Sequence, residues 1–115
     1  IKIKNYEVTP LLVDHATMVP SYGLIVKSKT KTLGFSGDSK TCANITRIVK
    51  ASDILVIDTS YLTECIFHMG LDTVINFANQ YPEKLFLGTH ISDEVRDSHQ
   101  KLPSNLHLLN DGDSY

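Results

Sequence analysis

The stretch Asp53-Ile54-Leu55-Val56-Ile57-Asp58-Thr59-Ser60 decides how this chain is read. From Asp53 to Ile57 it is a short, nearly continuous apolar run, the pattern of a strand covered on both faces rather than one lying half in water. Just upstream, Thr41 to Lys50 places Cys42, Ile45, Ile48 and Val49 at helical spacing. Downstream, a second helix is predicted from Leu71 to Gln80, with Leu71, Val74, Ile75 and Ala78 on one face and Pro82 closing it. Leu85 to Leu87 then forms another buried strand. Ser92 can cap a third helix whose first turn holds Asp93 and Glu94, and Leu106 to Leu109 forms a last short strand.

Toward the amino terminus the pattern changes. Tyr22 to Lys27 reads as a strand, with Thr32 to Phe35 its hairpin partner across the polar turn Ser28 to Lys31. Ile1, Ile3, Tyr6 and Val8 suggest an earlier strand, Leu11 to Val13 a further extended run, and Pro10 a break between them. Antiparallel β followed by helix, strand, helix, strand, helix is an α/β arrangement with one mixed sheet, not a bundle or a sandwich of sheets alone. The final Asn110 to Tyr115 is turn chemistry at a frayed end.

Composition bounds the function. The 115 residues make one domain, 42% are hydrophobic, and 11 Lys+Arg against 13 Asp+Glu give a net charge of −2. That balance excludes disorder and leaves no general positive field for gripping a phosphate backbone. No apolar run approaches the roughly 18 residues of a membrane span. Cys42 and Cys65 are too few and too far apart for a disulfide framework or a paired-cysteine zinc site, and read as small buried hydrophobes. With no signal sequence evident, a cytoplasmic location is expected. Ile1 in place of an initiating Met suggests a piece of a longer chain.

The chemistry-bearing residues sit where predicted strands end. His15 follows Leu11 to Asp14, Asp38 follows Leu33 to Phe35, and His90 follows Leu85 to Leu87. Open α/β sheets bind ligands at such an edge, and imidazole with carboxylate is a donor set for zinc and similar divalent ions. Taken singly, each residue has a plainer reading: a hydrogen-bonded surface histidine, a turn at Ser36-Gly37-Asp38-Ser39, a helix entrance at Thr89-His90-Ile91-Ser92.

Five motifs taken together, His15 through Pro20-Ser21-Tyr22-Gly23, Gly34-Phe35-Ser36-Gly37-Asp38, Asp53 to Ser60, His68, and Leu87-Gly88-Thr89-His90-Ile91-Ser92, resemble the C-terminal half of the metallo-β-lactamase fold, and within it the ribonuclease Z-like hydrolases. The resemblance implies a mixed sheet with flanking helices, residues 1–115 forming one half of an αββα sandwich. It implies that His15, Asp38 and His90 are metal ligands, Asp38 bridging two ions and His90 belonging to the second. It further implies that His68 protonates the leaving oxygen of a phosphodiester, a task suited to imidazole near neutral pH. Asp58 would orient His68 or His90. His99 and His107 match nothing in the family and are expected at the surface. The cofactor implied is zinc, with manganese or iron as other candidates; in the full family two ions about 3.5–4 Å apart generate the attacking hydroxide.

The sequence departs from the family in two places. It lacks the His-x-His-x-Asp-His loop that supplies the other ligands, and it joins the Ser-Tyr-Gly strand to the Ser-Gly-Asp strand by a short turn where many ribonuclease Z proteins insert a tRNA-gripping arm. A small diester is therefore expected over structured RNA. Three alternatives follow: a non-catalytic half-domain that pairs with a second copy or with its missing half; a hydrolase of lactones, thioesters or sulfate esters; and a mononuclear site formed by His15, Asp38 and His90 alone.

Overall fold

A computed structural model describes all 115 residues. Seven strands, β1 (Lys2–Ile3), β2 (Tyr6–Val13), β3 (Ser21–Lys27), β4 (Thr32–Phe35), β5 (Ile54–Asp58), β6 (Leu85–Thr89) and β7 (Leu106–Leu108), form one sheet in sequence order. β1 to β4 pair antiparallel and β4 to β7 parallel, giving the mixed α/β sheet that the sequence predicts. Helices α1 (Ala43–Ala51), α2 (Leu71–Gln80) and α3 (Asp93–Asp97) are the three crossovers of the parallel half. Crossovers are right-handed and these all step in one direction across the sheet, so every helix lands on the same face.

That face is the core. Leu11, Val13, Leu55, Ile57, Phe86 and Leu106 from the sheet pack with Ile45, Ile48 and Val49 of α1, Leu71, Val74 and Ala78 of α2, and Val95 of α3 in one buried cluster. α1 can lie close because Gly34 has no side chain: a Cβ there would sit 2.5 Å from Ser52 Oγ and 2.8 Å from Ile48 Cγ2. Lys84 closes the far end of α1, its Nζ donating to the carbonyls of Lys50 and Ser52 at 3.1 and 2.6 Å.

The opposite face is apolar and has no helix over it, its side chains ranging from buried Leu87 to exposed Phe35. Strand registry lines up Pro10, Leu24, Phe35, Val56 and Leu87 in one row, and Val8, Val26, Leu33, Ile54 and Leu85 in the next. No helix contributes to this side; Leu12 and Tyr22 are 55% and 54% exposed. One-sided exposure is ordinary for antiparallel strands and exceptional for parallel ones.

Several boundaries differ from the sequence reading. The first predicted strand is split by a turn in which Lys4 takes φ 52°, whereas Pro10 does not break β2. The amide and carbonyl of Val8 both face Ile1, at 2.7 and 2.8 Å, so Pro10, two residues on, turns its nitrogen to the same outer side. β1 does not reach that far, and no ladder bond is lost. α1 starts at Ala43 with Cys42 as its N-cap, and the Thr41 N–H is taken by Glu64. Cys42 and Cys65 are free thiols, half-buried rather than enclosed. His99 is exposed, while His107 is half-buried with its ring 5.2 Å from that of Tyr115.

Ser52 Oγ is buried without a hydrogen-bond partner. Ser52→Ala should therefore raise the urea-unfolding free energy by about 1 kcal/mol. Gly34→Ala, which pushes a methyl into Ile48 and Ser52, should lower it by about 1–3 kcal/mol.

Candidate metal centre

β2, β4, β5 and β6 all run in the same direction, since β2 and β4 are each antiparallel to the intervening β3. Their carboxyl ends consequently share one sheet edge, and each delivers a polar residue there. β2 is followed by Asp14 and His15. The Asp14 carboxylate accepts from the Ala16 N–H at 3.1 Å and pairs with Lys40 at 3.2 Å; the amide and the ammonium hold its carboxyl below the usual range. The Asp14 carbonyl accepts from Lys40 N–H and Ser39 Oγ, lashing the end of β2 to the loop after β4. In that loop Gly37 takes φ 61°, with the space a Cβ would fill only 2.8 Å from the Tyr22 carbonyl, and this turn releases Asp38 to the edge.

Asp58, the last residue of β5, is completely buried. Its Oδ2 accepts from Ser39 N–H at 3.0 Å and from His68 Nδ1 at 2.7 Å, and its Oδ1 accepts from Ser60 N–H at 3.1 Å and Ser60 Oγ at 2.5 Å. Four donors on two oxygens satisfy the hydrogen-bonding needs of this buried carboxylate. His68 reaches it from a tight loop between β5 and α2, pinned where Met69 N–H donates to Ser39, Leu71 N–H to Tyr61 and Cys65 N–H to the His68 carbonyl. His90 follows β6 with φ 57°, a left-handed conformation that aims its ring at Asp38, Nε2 to Oδ2 being 4.0 Å.

The ligand-type atoms of Asp38, His68 and His90 all lie within 4.8 Å of one another, so these three can surround one divalent ion. His15 stands outside that set, on the other side of His68; the ring centroids of His15 and His68 are 4.8 Å apart, and those of His68 and His90 4.9 Å. The structure thus gathers all four residues at one edge, yet the trio that fits a single ion contains His68 in place of His15.

Two of the histidine tautomers follow from their partners. His15 Nδ1 meets the Phe67 carbonyl at 3.0 Å, and a carbonyl only accepts, so Nδ1 carries the proton. His68 Nδ1 must likewise donate to Asp58. Both rings leave Nε2 as the free lone pair, the arrangement in which metal-binding imidazoles are usually held. Beside them a shallow depression of about 290 Å³ is lined by Ser60, Tyr61, His90, Ile91 and Ser92. Sequence reasoning passed over Ser60 and the Phe67 carbonyl: Asp-x-Ser after a strand is a recognisable turn signal, whereas a backbone carbonyl leaves no signature.

A family profile described as the beta-lactamase superfamily domain matches residues 1–91. The chain belongs to the beta-lactamase superfamily. Among solved structures it is similar to the metallo-beta-lactamase fold protein YhfI from Bacillus subtilis (17% identity, TM-score 0.75, covering 95% of this chain and 48% of that one). It is also similar to a diphosphatase from the PhnP family (23%, TM-score 0.77, 97% and 44%) and to human tRNase Z, short form (20%, TM-score 0.62, 81% and 38%). At these identities the likeness establishes the metallo-β-lactamase fold. The chain spans about half the length of the first two structures. No curated protein sequence matches it significantly. No helix is long and apolar enough to cross a membrane.

Asp58→Asn replaces one acceptor oxygen by an NH₂ that must face existing donors. The substitution should cost about 1–3 kcal/mol in urea denaturation, with Asp38→Asn, at an exposed site, changing stability by less than about 0.5 kcal/mol.

Proposed function

We propose that this chain forms one side of a zinc-dependent phosphodiesterase centre, with His15, Asp38 and His90 as metal ligands and His68 as proton donor. The observation that carries the reading is the pair of His68 with fully buried Asp58 at 2.7 Å. Asp58 fixes Nδ1, so a proton for the reaction enters and leaves at Nε2, on the side of Asp38 and His90. The ring gives its Nε2 proton to the leaving oxygen and keeps its Nδ1 bond to Asp58 throughout. An alkoxide is a poor leaving group and needs that proton; a thiolate does not, which sets phosphodiesters ahead of thioesters. Similarity to a diphosphatase and to a tRNase Z supports phosphate chemistry. The short turn between β3 and β4 and the net charge of −2 favour a small diester over structured RNA. Bound zinc would polarise the ester and lower the pKa of water; manganese and iron suit the same nitrogen and oxygen donors.

The helix-free face belongs to the same reading. A parallel sheet covered on one side only, in a chain that lacks a His-x-His-x-Asp-His loop, calls for a second layer carrying further ligands. That layer is the other half of the fold, or a second copy standing in for it.

Elemental analysis after gel filtration should find zinc on the chain and none on Asp38→Ala or His90→Ala. Hydrolysis of a dialkyl or nucleoside phosphodiester by the zinc-loaded protein should fall about 10²–10⁴-fold in His68→Ala, with a much smaller loss on bis-p-nitrophenyl phosphate, whose p-nitrophenolate leaves without a proton. A chain that retains no zinc, or turnover of lactones or thioesters in preference to the diester, overturns the proposal. Light scattering should show a dimer or larger species; a clean monomer at high concentration would remove the second layer from it.

A further inference from the structure

We infer that Ser60 is a positioning residue that extends the control of Asp58 from His68 to His90, so that one buried carboxylate sets the tautomer of both imidazoles. His90 Nδ1 is 3.9 Å from Asp58 Oδ1, too far for a hydrogen bond. The Ser60 hydroxyl spans the gap, 2.5 Å from Asp58 Oδ1 and 2.6 Å from His90 Nδ1.

The direction of both bonds follows from proton counting. An ionised carboxylate only accepts, so the single hydroxyl proton of Ser60 goes to Asp58. Ser60 Oγ then has only lone pairs to offer His90, and Nδ1 must carry the ring proton. Nε2 is left unprotonated, facing Asp38. Ser60 can do this because it is itself held. It is 3% exposed, its N–H donates to the same Asp58 oxygen, and its carbonyl accepts from Ser92 N–H just beyond His90. His90 needs such a tether more than His68 does. Its side chain is 52% exposed against 13% for His68, and its φ of 57° gives no help from regular secondary structure.

The inference goes one residue beyond the proposed metal centre and rests on that reading only for its second readout. The first is long-range ¹H–¹⁵N correlation NMR of the metal-free chain in alkaline buffer, where imidazoles are neutral and the two tautomers have distinct nitrogen shifts. In the wild type both His68 and His90 should carry the proton on Nδ1. In Ser60→Ala His90 should shift toward the Nε2–H form while His68 stays unchanged, and Ser60→Thr, which keeps the hydroxyl, should restore the wild-type pattern. The second readout is zinc affinity, expected to weaken about 10–100-fold in Ser60→Ala and to recover in Ser60→Thr. A wild-type His90 protonated on Nε2, a Ser60→Ala spectrum with His90 unmoved, or zinc affinity equal in wild type and Ser60→Ala overturns the inference. A wild type that binds no zinc defeats the metal centre instead, and the tautomer of His90 still decides the role of Ser60.

Discussion

A carboxylate shut away from water must find donors for both of its oxygens, and the way Asp58 does so organises the whole sheet edge. Its partners come from two loops: Ser39 from the one after β4, and Ser60 and His68 from the two ends of the one between β5 and α2. Satisfying one buried charge therefore fixes both loops to the end of β5. The return bond from the Asp58 N–H to Ser36 Oγ, at 2.8 Å, ties in the residue two places before Asp38. Rigid support of this kind lets half-exposed groups such as Asp38 and His90 keep a defined separation.

The sheet has two different halves, and they meet at β4. The antiparallel half brings His15 to the edge on β2; the parallel half brings Asp58, Ser60 and His90 on β5 and β6. Neither half alone gathers the four metal-type side chains. The hairpin reversal through β3 makes β2 and β4 codirectional, so residues 75 positions apart, His15 and His90, arrive at the same place.

Much of this was legible in the sequence because the parallel strands carry strong signals. Ile54 to Ile57 and Leu85 to Leu87 are apolar runs too short for helices, and Leu71 to Gln80 shows its helical face between a glycine and a tyrosine-proline stop. Pro10 misled because the outcome depends on which side of a strand its nitrogen faces, and only pairing with Ile1 settles that. The candidate site residues His15, Asp38 and His90 were visible as strand-end positions, whereas His68 stood out only through the family resemblance, with Asp58 as its possible orienting carboxylate. Their distances were not: spacing in sequence does not say that His68 stands between His15 and His90. Ser60 was hidden because a serine after a strand has many ordinary uses, and its link to His90 spans 30 residues.

The strand order also bears on how the molecule is made. Every strand lies beside its immediate predecessor in the chain, from β1 through β7, with no later strand inserted between earlier ones. During synthesis each newly emerged strand finds its partner already present at the growing edge, and the only loops to be closed are single hairpins or single helix crossovers. Such a sheet can form by accretion from its amino-terminal side, which keeps loop-closure entropy low for a fold with parallel pairing. The cluster of metal-type side chains matures late on this route: Asp58 is made before His68, and both wait for β6 to deliver His90, so the cluster is completed only after the scaffold that holds it.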